Sequence, residues 1–111
     1  MRGAKPMSAF DLAAHLAHQK EWSENTFGPG SRAFRICNHI RKELQEIENA
    51  PSDLSEWIDV VILAFDGAWR EGYSPEQIIA SLVNKAVLNE SRAWPDWRQF
   101  TNGEAIEHIK D

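Results

Sequence analysis

The sequence predicts an all-α protein with a four-helix core, and three observations carry that expectation. Apolar residues recur at helical spacing within blocks, as with Cys37, Ile40, Leu44 and Ile47. Breaking clusters separate the blocks, at Phe27-Gly28-Pro29-Gly30, Asn49-Ala50-Pro51 and Gly72. Cap-forming residues open each block, and no segment alternates apolar and polar residues between hairpin turns.

Taken in order, Met1 to Met7 reads as a loose end. Ser8 caps a first helix, with Asp11 three residues on, and that helix runs to about Glu24. Ser31 caps a second helix reaching Glu48, whose buried stripe is Cys37, Ile40, Leu44 and Ile47. Ser52 or Asp53 caps a third helix, which runs to about Glu71 and stops at Gly72. Ser74-Pro75-Glu76-Gln77 opens a fourth, with a cap, a proline at the first helical position and a glutamine at the third. It ends near Arg92, before Trp94-Pro95-Asp96-Trp97. Thr101 to Glu104 repeats the capping pattern and predicts a short C-terminal helix through Ile109. Short connections make consecutive helices antiparallel.

The 111 residues predict a single domain, residues 1–111, or one subunit of an oligomer. Apolar residues at 42% and charged residues at 26% suit a globular fold. The net charge of −5 argues against non-specific nucleic-acid binding, and a polyanionic substrate would need a cation or a local basic cluster. The one cysteine excludes an internal disulfide and a cysteine metal cage, and fits a reducing compartment. No apolar run approaches the about 18 residues of a membrane span, so the expectation is a cytosolic protein with no membrane partner. Five tryptophans are many for this length; some should pack the core and some line a pocket or an interface.

From Trp57 to Phe65 every side chain but Asp59 is apolar. A helix apolar nearly all round is expected to be buried, and a buried carboxylate must be paired, protonated or bound to a metal. Helix two carries Glu43 and Glu46, and helix three Glu56 and Asp59, each pair three residues apart on one face. Facing positions of an antiparallel hairpin have residue numbers of constant sum. With the turn at Pro51, that rule sets Glu46 near Glu56 and Glu43 near Asp59. Four converging carboxylates repel, and hard divalent cations such as Mg²⁺ or Mn²⁺ relieve the repulsion. Two blander readings stand beside this one: the pairs are solvated helix faces, or Asp59 forms a structural ion pair with Arg41, Lys42 or Arg70.

The two carboxylate pairs resemble the metal signature of the MazG-like all-α nucleoside triphosphate pyrophosphatases. The stretch HIRKELQEIENAPSDLSEWIDVVILAFDGAWREG, followed by KAVLNESRAWPDWR and AIEHIK, is similar to the phage and prophage dATP/dGTP diphosphohydrolase branch. The resemblance covers roughly Trp22 to the C-terminus. It implies a four-helix core that forms a homodimer or homotetramer. It also implies hydrolysis of a (deoxy)nucleoside triphosphate, with purine deoxynucleotides preferred, to the monophosphate and pyrophosphate. Glu43, Glu46, Glu56 and Asp59 then become ligands of two or three Mg²⁺ or Mn²⁺ ions, with Glu43 or Glu46 accepting the proton of the attacking water. A phage-encoded enzyme of this kind would work in the host cytoplasm.

Lys85, Asn89 and Arg92 form one polar stripe on helix four, suited to phosphate oxygens or simply solvated. The resemblance favours the phosphate role for Lys85 and Asn89. Trp94 and Trp97 either stack on a base or cap the bundle end, and Trp22 and Phe27 face the same choice. Asp96 could accept from a guanine amino group. Asn38 and His39, one turn before the first carboxylate pair, could touch substrate or support a ligand carboxylate. His15 and His18 lack a third metal ligand, Cys37 is expected in the core, and Trp57 and Trp69 in the core or an interface. Rival readings are a pyrophosphohydrolase for dUTP or dCTP, and a non-catalytic helical interaction module.

Overall fold

The structure, a computed structural model, describes residues 9–110. The expected cap at Ser8 and the loose end before it lie outside the described residues. Within them there are four α-helices, one 3₁₀ turn and no strand, so the protein is all-α. The chain forms two compact units, Met1–Ile79 and Ala80–Asp111, with the boundary inside the fourth helix.

The first unit contains α1 (Leu12–Phe27), α2 (Ala33–Asn49), α3 (Leu54–Arg70) and the start of α4 (Pro75–Ser91). Asp11, expected as the partner of a cap, is itself the cap: its carboxylate accepts from the Ala14 N–H at 3.1 Å. α1 ends where Gly28 and Gly30 adopt φ of 90° and 91°, a region costly for any other residue. Ser31 reaches the Ala33 N–H at 3.4 Å and donates to Glu71 at 3.0 Å.

α2 and α3 pack as a hairpin across the turn at Pro51-Ser52, with α1 laid on α3. Asp53 caps α3 by accepting from the Ser55 N–H at 3.0 Å, and the Trp57 indole donates to the Pro51 carbonyl at 2.9 Å. α3 closes with Gly72, φ 98°, donating to the Trp69 carbonyl. The α4 start is the predicted reciprocal box: Ser74 N–H to Gln77 Oε1 at 2.8 Å, and Gln77 N–H to Ser74 Oγ at 3.1 Å. Leu16, Trp69 and Ile78 form the buried core, with Leu12, Phe65, Ala68 and Ile79 packed against it.

The α2 stripe differs from the expectation. Ile36, Glu43 and Ile47 are buried and Ile40 half-buried, while Cys37 and Leu44 are exposed. The spacing 36, 40, 43, 47 is as helical as the predicted one. An apolar reading passed over it because Glu43 sits in its middle.

In the second unit the only helical segment after α4 among the described residues is the 3₁₀ turn Trp97–Gln99, with Asp96 as its cap. The expected C-terminal helix does not form. Thr101 and Glu104 do bond reciprocally at 3.4 and 3.3 Å, but Gly103 at φ 94° turns the chain out of helical geometry. The tail instead returns to the end of α4: the Ile109 N–H donates to the Ala93 carbonyl, and His108 meets Trp94 edge-on at 6.0 Å.

Candidate active site

Helical spacing puts Glu43 and Glu46 on one face of α2, and the hairpin brings Glu56, in the first turn of α3, against them. One carboxylate oxygen from each lies within 4.8 Å of the other two. Glu43 is buried at 8% exposure and Glu56 is half-buried, and both Oε2 atoms are enclosed without a hydrogen-bond partner. Glu56 is pushed up to about 7, first by its hydrogen bond with Glu46, then by desolvation and by the charges of Glu46 and Glu43. His39 Nε2 lies 3.2 Å from Glu43 Oε1. Three convergent oxygen donors, two with an orphaned oxygen, fit a hard divalent cation, which would satisfy those oxygens and offset their repulsion.

Asp59 corrects the sequence reading. It is exposed rather than embedded, because its apolar neighbours Ile58, Val61 and Ile62 are themselves 43–45% exposed. An apolar run predicts burial only where another element covers it, and this part of α3 is open in the single chain. Asp59 is outside the three-carboxylate group and, among the described residues, forms no ion pair with Arg41, Lys42 or Arg70. It does share a cavity wall with Glu43 and His39.

That cavity holds about 330 Å³ between α1, α2 and α3. α1 contributes Gln19, Trp22, Ser23 and Phe27, and α3 contributes Ile62, Leu63, Asp66 and Trp69 beyond Asp59. Trp22 meets Phe27 edge-on at 5.7 Å, and the Arg32 guanidinium lies 4.7 Å from the Phe27 ring centre. Carboxylates and aromatic walls thus line one hollow.

The sequence reading missed Asp66, Ser23 and the true role of Arg70. Asp66 is buried, and its Oδ1 accepts from Ser23 Oγ at 2.9 Å and Arg70 Nε at 2.8 Å. Arg70 also donates to the Gly28, Gly30 and Ser23 carbonyls and to Ser23 Oγ, at 2.7 to 3.1 Å. The available signal was the four-residue spacing of Asp66 and Arg70. Trp69, expected in the core or an interface, is a core residue that also lines the cavity.

The remaining predicted residues are placed as follows. Trp22 is at the cavity, and Asn38 is exposed and absent from its lining. In the second unit, Arg92 donates to Asn89 Oδ1 at 3.1 Å, and the Trp94 indole donates to the Asn89 carbonyl at 2.7 Å. Lys85 is exposed one turn earlier. Asp96 accepts from Nε and, secondarily, the backbone N–H of Arg98, which hold its carboxyl below the usual range.

The fold and site define a class: an all-α protein with a three-carboxylate cluster that could hold a cation, one member of which, Glu43, lines an aromatic cavity. The family model of dATP/dGTP pyrophosphohydrolase matches residues 15–111, and the chain belongs to that family. It is also similar to the Eaa protein of Salmonella phage P22, with 36% identity over 91 residues. Those residues are 82% of this chain and 27% of the phage protein, so the chain spans about a quarter of that relative's length. No solved structure matches it. No helix among the described residues is long and apolar enough to cross a membrane.

Proposed function

We propose that this protein hydrolyses purine deoxynucleoside triphosphates, dGTP and dATP, to the monophosphate and pyrophosphate, with Glu43, Glu46, Glu56 and Asp59 holding two or three Mg²⁺ or Mn²⁺ ions. The observation that carries this reading is the three-carboxylate group with orphaned oxygens on Glu43 and Glu56, of which Glu43 also lines the aromatic cavity. When bound, the ions neutralise phosphate charge and acidify a water. The chain's own residues supply the rest. Glu43 or Glu46 takes the proton of the attacking water, and His39 orients the Glu43 carboxylate. Trp22 and Phe27 offer aromatic faces to the base. Lys85, Asn89 and Arg92 offer a cation, an amide and a guanidinium for phosphate oxygens, and Trp94 an aromatic ring beside them.

The kinship with a phage protein supports a place in phage nucleotide metabolism in the host cytoplasm. Exposed Trp57, Ile58, Val61 and Ile62 support a homodimer or homotetramer, since a second copy would remove that apolar surface from water. The test is to incubate the protein with each of the dNTPs and Mg²⁺ or Mn²⁺ and to measure pyrophosphate. Release from dGTP and dATP is expected. Release from dUTP or dCTP alone would move the assignment to another base, and no release from any would leave a helical interaction module.

A further inference from the structure

Two buried polar side chains on α3 line the cavity and are unused by the chemistry above. Trp69 is 3% exposed, and its indole N–H has no acceptor. Asp66 is 6% exposed, and the bonds from Ser23 and Arg70 both fall on Oδ1. A carboxylate has two oxygens with about four acceptor positions, so Oδ2 keeps its capacity. Buried donors in native proteins nearly always find partners. An orphaned donor three residues from an acceptor with capacity left, in a hollow walled by Trp22, Phe27, Ile62 and Leu63, suits a planar heterocycle with a polar edge.

Spacing along α3 agrees. Asp66 and Trp69 follow Asp59 by seven and ten residues, about 10 and 15 Å along the axis. That is the scale separating the phosphates of a nucleotide from its base.

We propose that Asp66 and Trp69 read the base and favour guanine over adenine; this rests on the cavity being the nucleotide site. Guanine presents N1–H and its 2-amino group as adjacent donors, with O6 as an acceptor beside them. Asp66 Oδ2 accepts from the donors, and the Trp69 indole donates to O6. Adenine reverses this edge. Its N1 lone pair would face the carboxylate, and its 6-amino group would face the indole N–H. Ser23 and Arg70, holding Asp66 by its other oxygen, act as positioning residues.

The test compares kcat/KM for dGTP, dATP and dITP, which lacks the 2-amino group. The wild-type protein should prefer dGTP over dATP, with dITP about 3- to 10-fold below dGTP for the lost hydrogen bond. Trp69→Phe keeps the ring and removes the donor; the dGTP KM should rise about 3- to 10-fold with kcat little changed. Asp66→Asn, with its amide oxygen still held by Ser23 and Arg70, turns an NH₂ to the base that donates to adenine N1 and no longer accepts from guanine, so the dGTP/dATP ratio should fall about 10-fold or more. A merely structural role would lower both substrates equally and leave the ratio unmoved, which overturns the assignment. If Asp66→Asn fails to fold, the dITP comparison and Trp69→Phe decide. Calorimetric binding of dGMP against dAMP reads the same preference without turnover. An inactive protein that still prefers dGMP would overturn the hydrolase reading alone. Equal binding of the two monophosphates by an active protein would overturn only this one.

Discussion

α3 carries acids at both ends, and the two ends treat them differently. Near its C-terminus, Asp66 is buried against Arg70 and Ser23, with charge matched and hydrogen bonds made. Near its N-terminus, Glu56 meets Glu43 and Glu46 with no lysine or arginine among the described residues paired to any of the three, and two oxygens are left enclosed without partners. The first arrangement has its charge matched within the chain and ties α3 to the carbonyls at the end of α1. The second is held together by the hairpin despite its own repulsion. An acid neutralised within the chain holds structure; a cluster that is not neutralised is ready for something from outside.

Replacing one residue of each cluster should therefore break different things. Glu43→Gln should lower pyrophosphate release by on the order of 10²–10⁴-fold, since the proposed metal ligand and proton acceptor is lost. Its thermal stability without metal should hold or rise, because one repelling charge goes. A parallel loss of stability and turnover would place Glu43 with the structural acids. Arg70→Met should do the reverse. Asp66 would be left buried without its cation, at a cost of about 3–5 kcal/mol by denaturant unfolding. Adding Asp66→Asn to Arg70→Met should recover part of that loss, and a strictly additive double variant would argue against the pair.

The same contrast explains which parts were legible in the sequence. Helix order, the Asp53 cap, the Ser74–Gln77 box and the facing of Glu43, Glu46 and Glu56 all follow from local periodicity and one turn. Local signals reach that far because a hairpin with a short turn has few registers. The apolar run points to Asp59 as the embedded acid, yet Asp66 is the buried one. Both sit among apolar neighbours on α3, and only the packing of α1 decides which is covered. That packing is long-range: Ser23 and Asp66 are 43 residues apart. The missing tail helix has a related cause. The capping pattern is present in the sequence, but one glycine and a backbone bond back to Ala93 take the chain elsewhere.

A smaller perturbation sharpens the Asp66 end. Ser23→Ala removes a hydroxyl that both donates to Asp66 and accepts from Arg70. Arg70 keeps its bond to the Ser23 carbonyl, so the ion pair survives. The expected cost is about 1 kcal/mol, read as a shift in urea midpoint at unchanged slope. A cost as large as that of Arg70→Met would mean that the hydroxyl, rather than the charge pair, holds this end together.

The gentlest probe of the acidic end is pH. Glu56 is raised from 4.5 to about 7 in the folded chain, so between those values the folded state binds more protons than the unfolded one. Stability of the metal-free protein should then be greatest on the acid side of this window and decline as pH rises from about 4.5 to about 7. A divalent cation competes with that proton, so its affinity should strengthen over the same interval, and binding near pH 6 should release protons. Melting temperatures taken across the interval with and without Mg²⁺ read both effects. The metal-free Tm should fall with rising pH, and saturating Mg²⁺ should flatten or reverse the slope. Glu46→Gln removes the neighbour that does most to raise Glu56 and should weaken the metal-free slope. If the slope in that variant matches the unsubstituted protein, the proton is held elsewhere, and the three carboxylates do not act as one group.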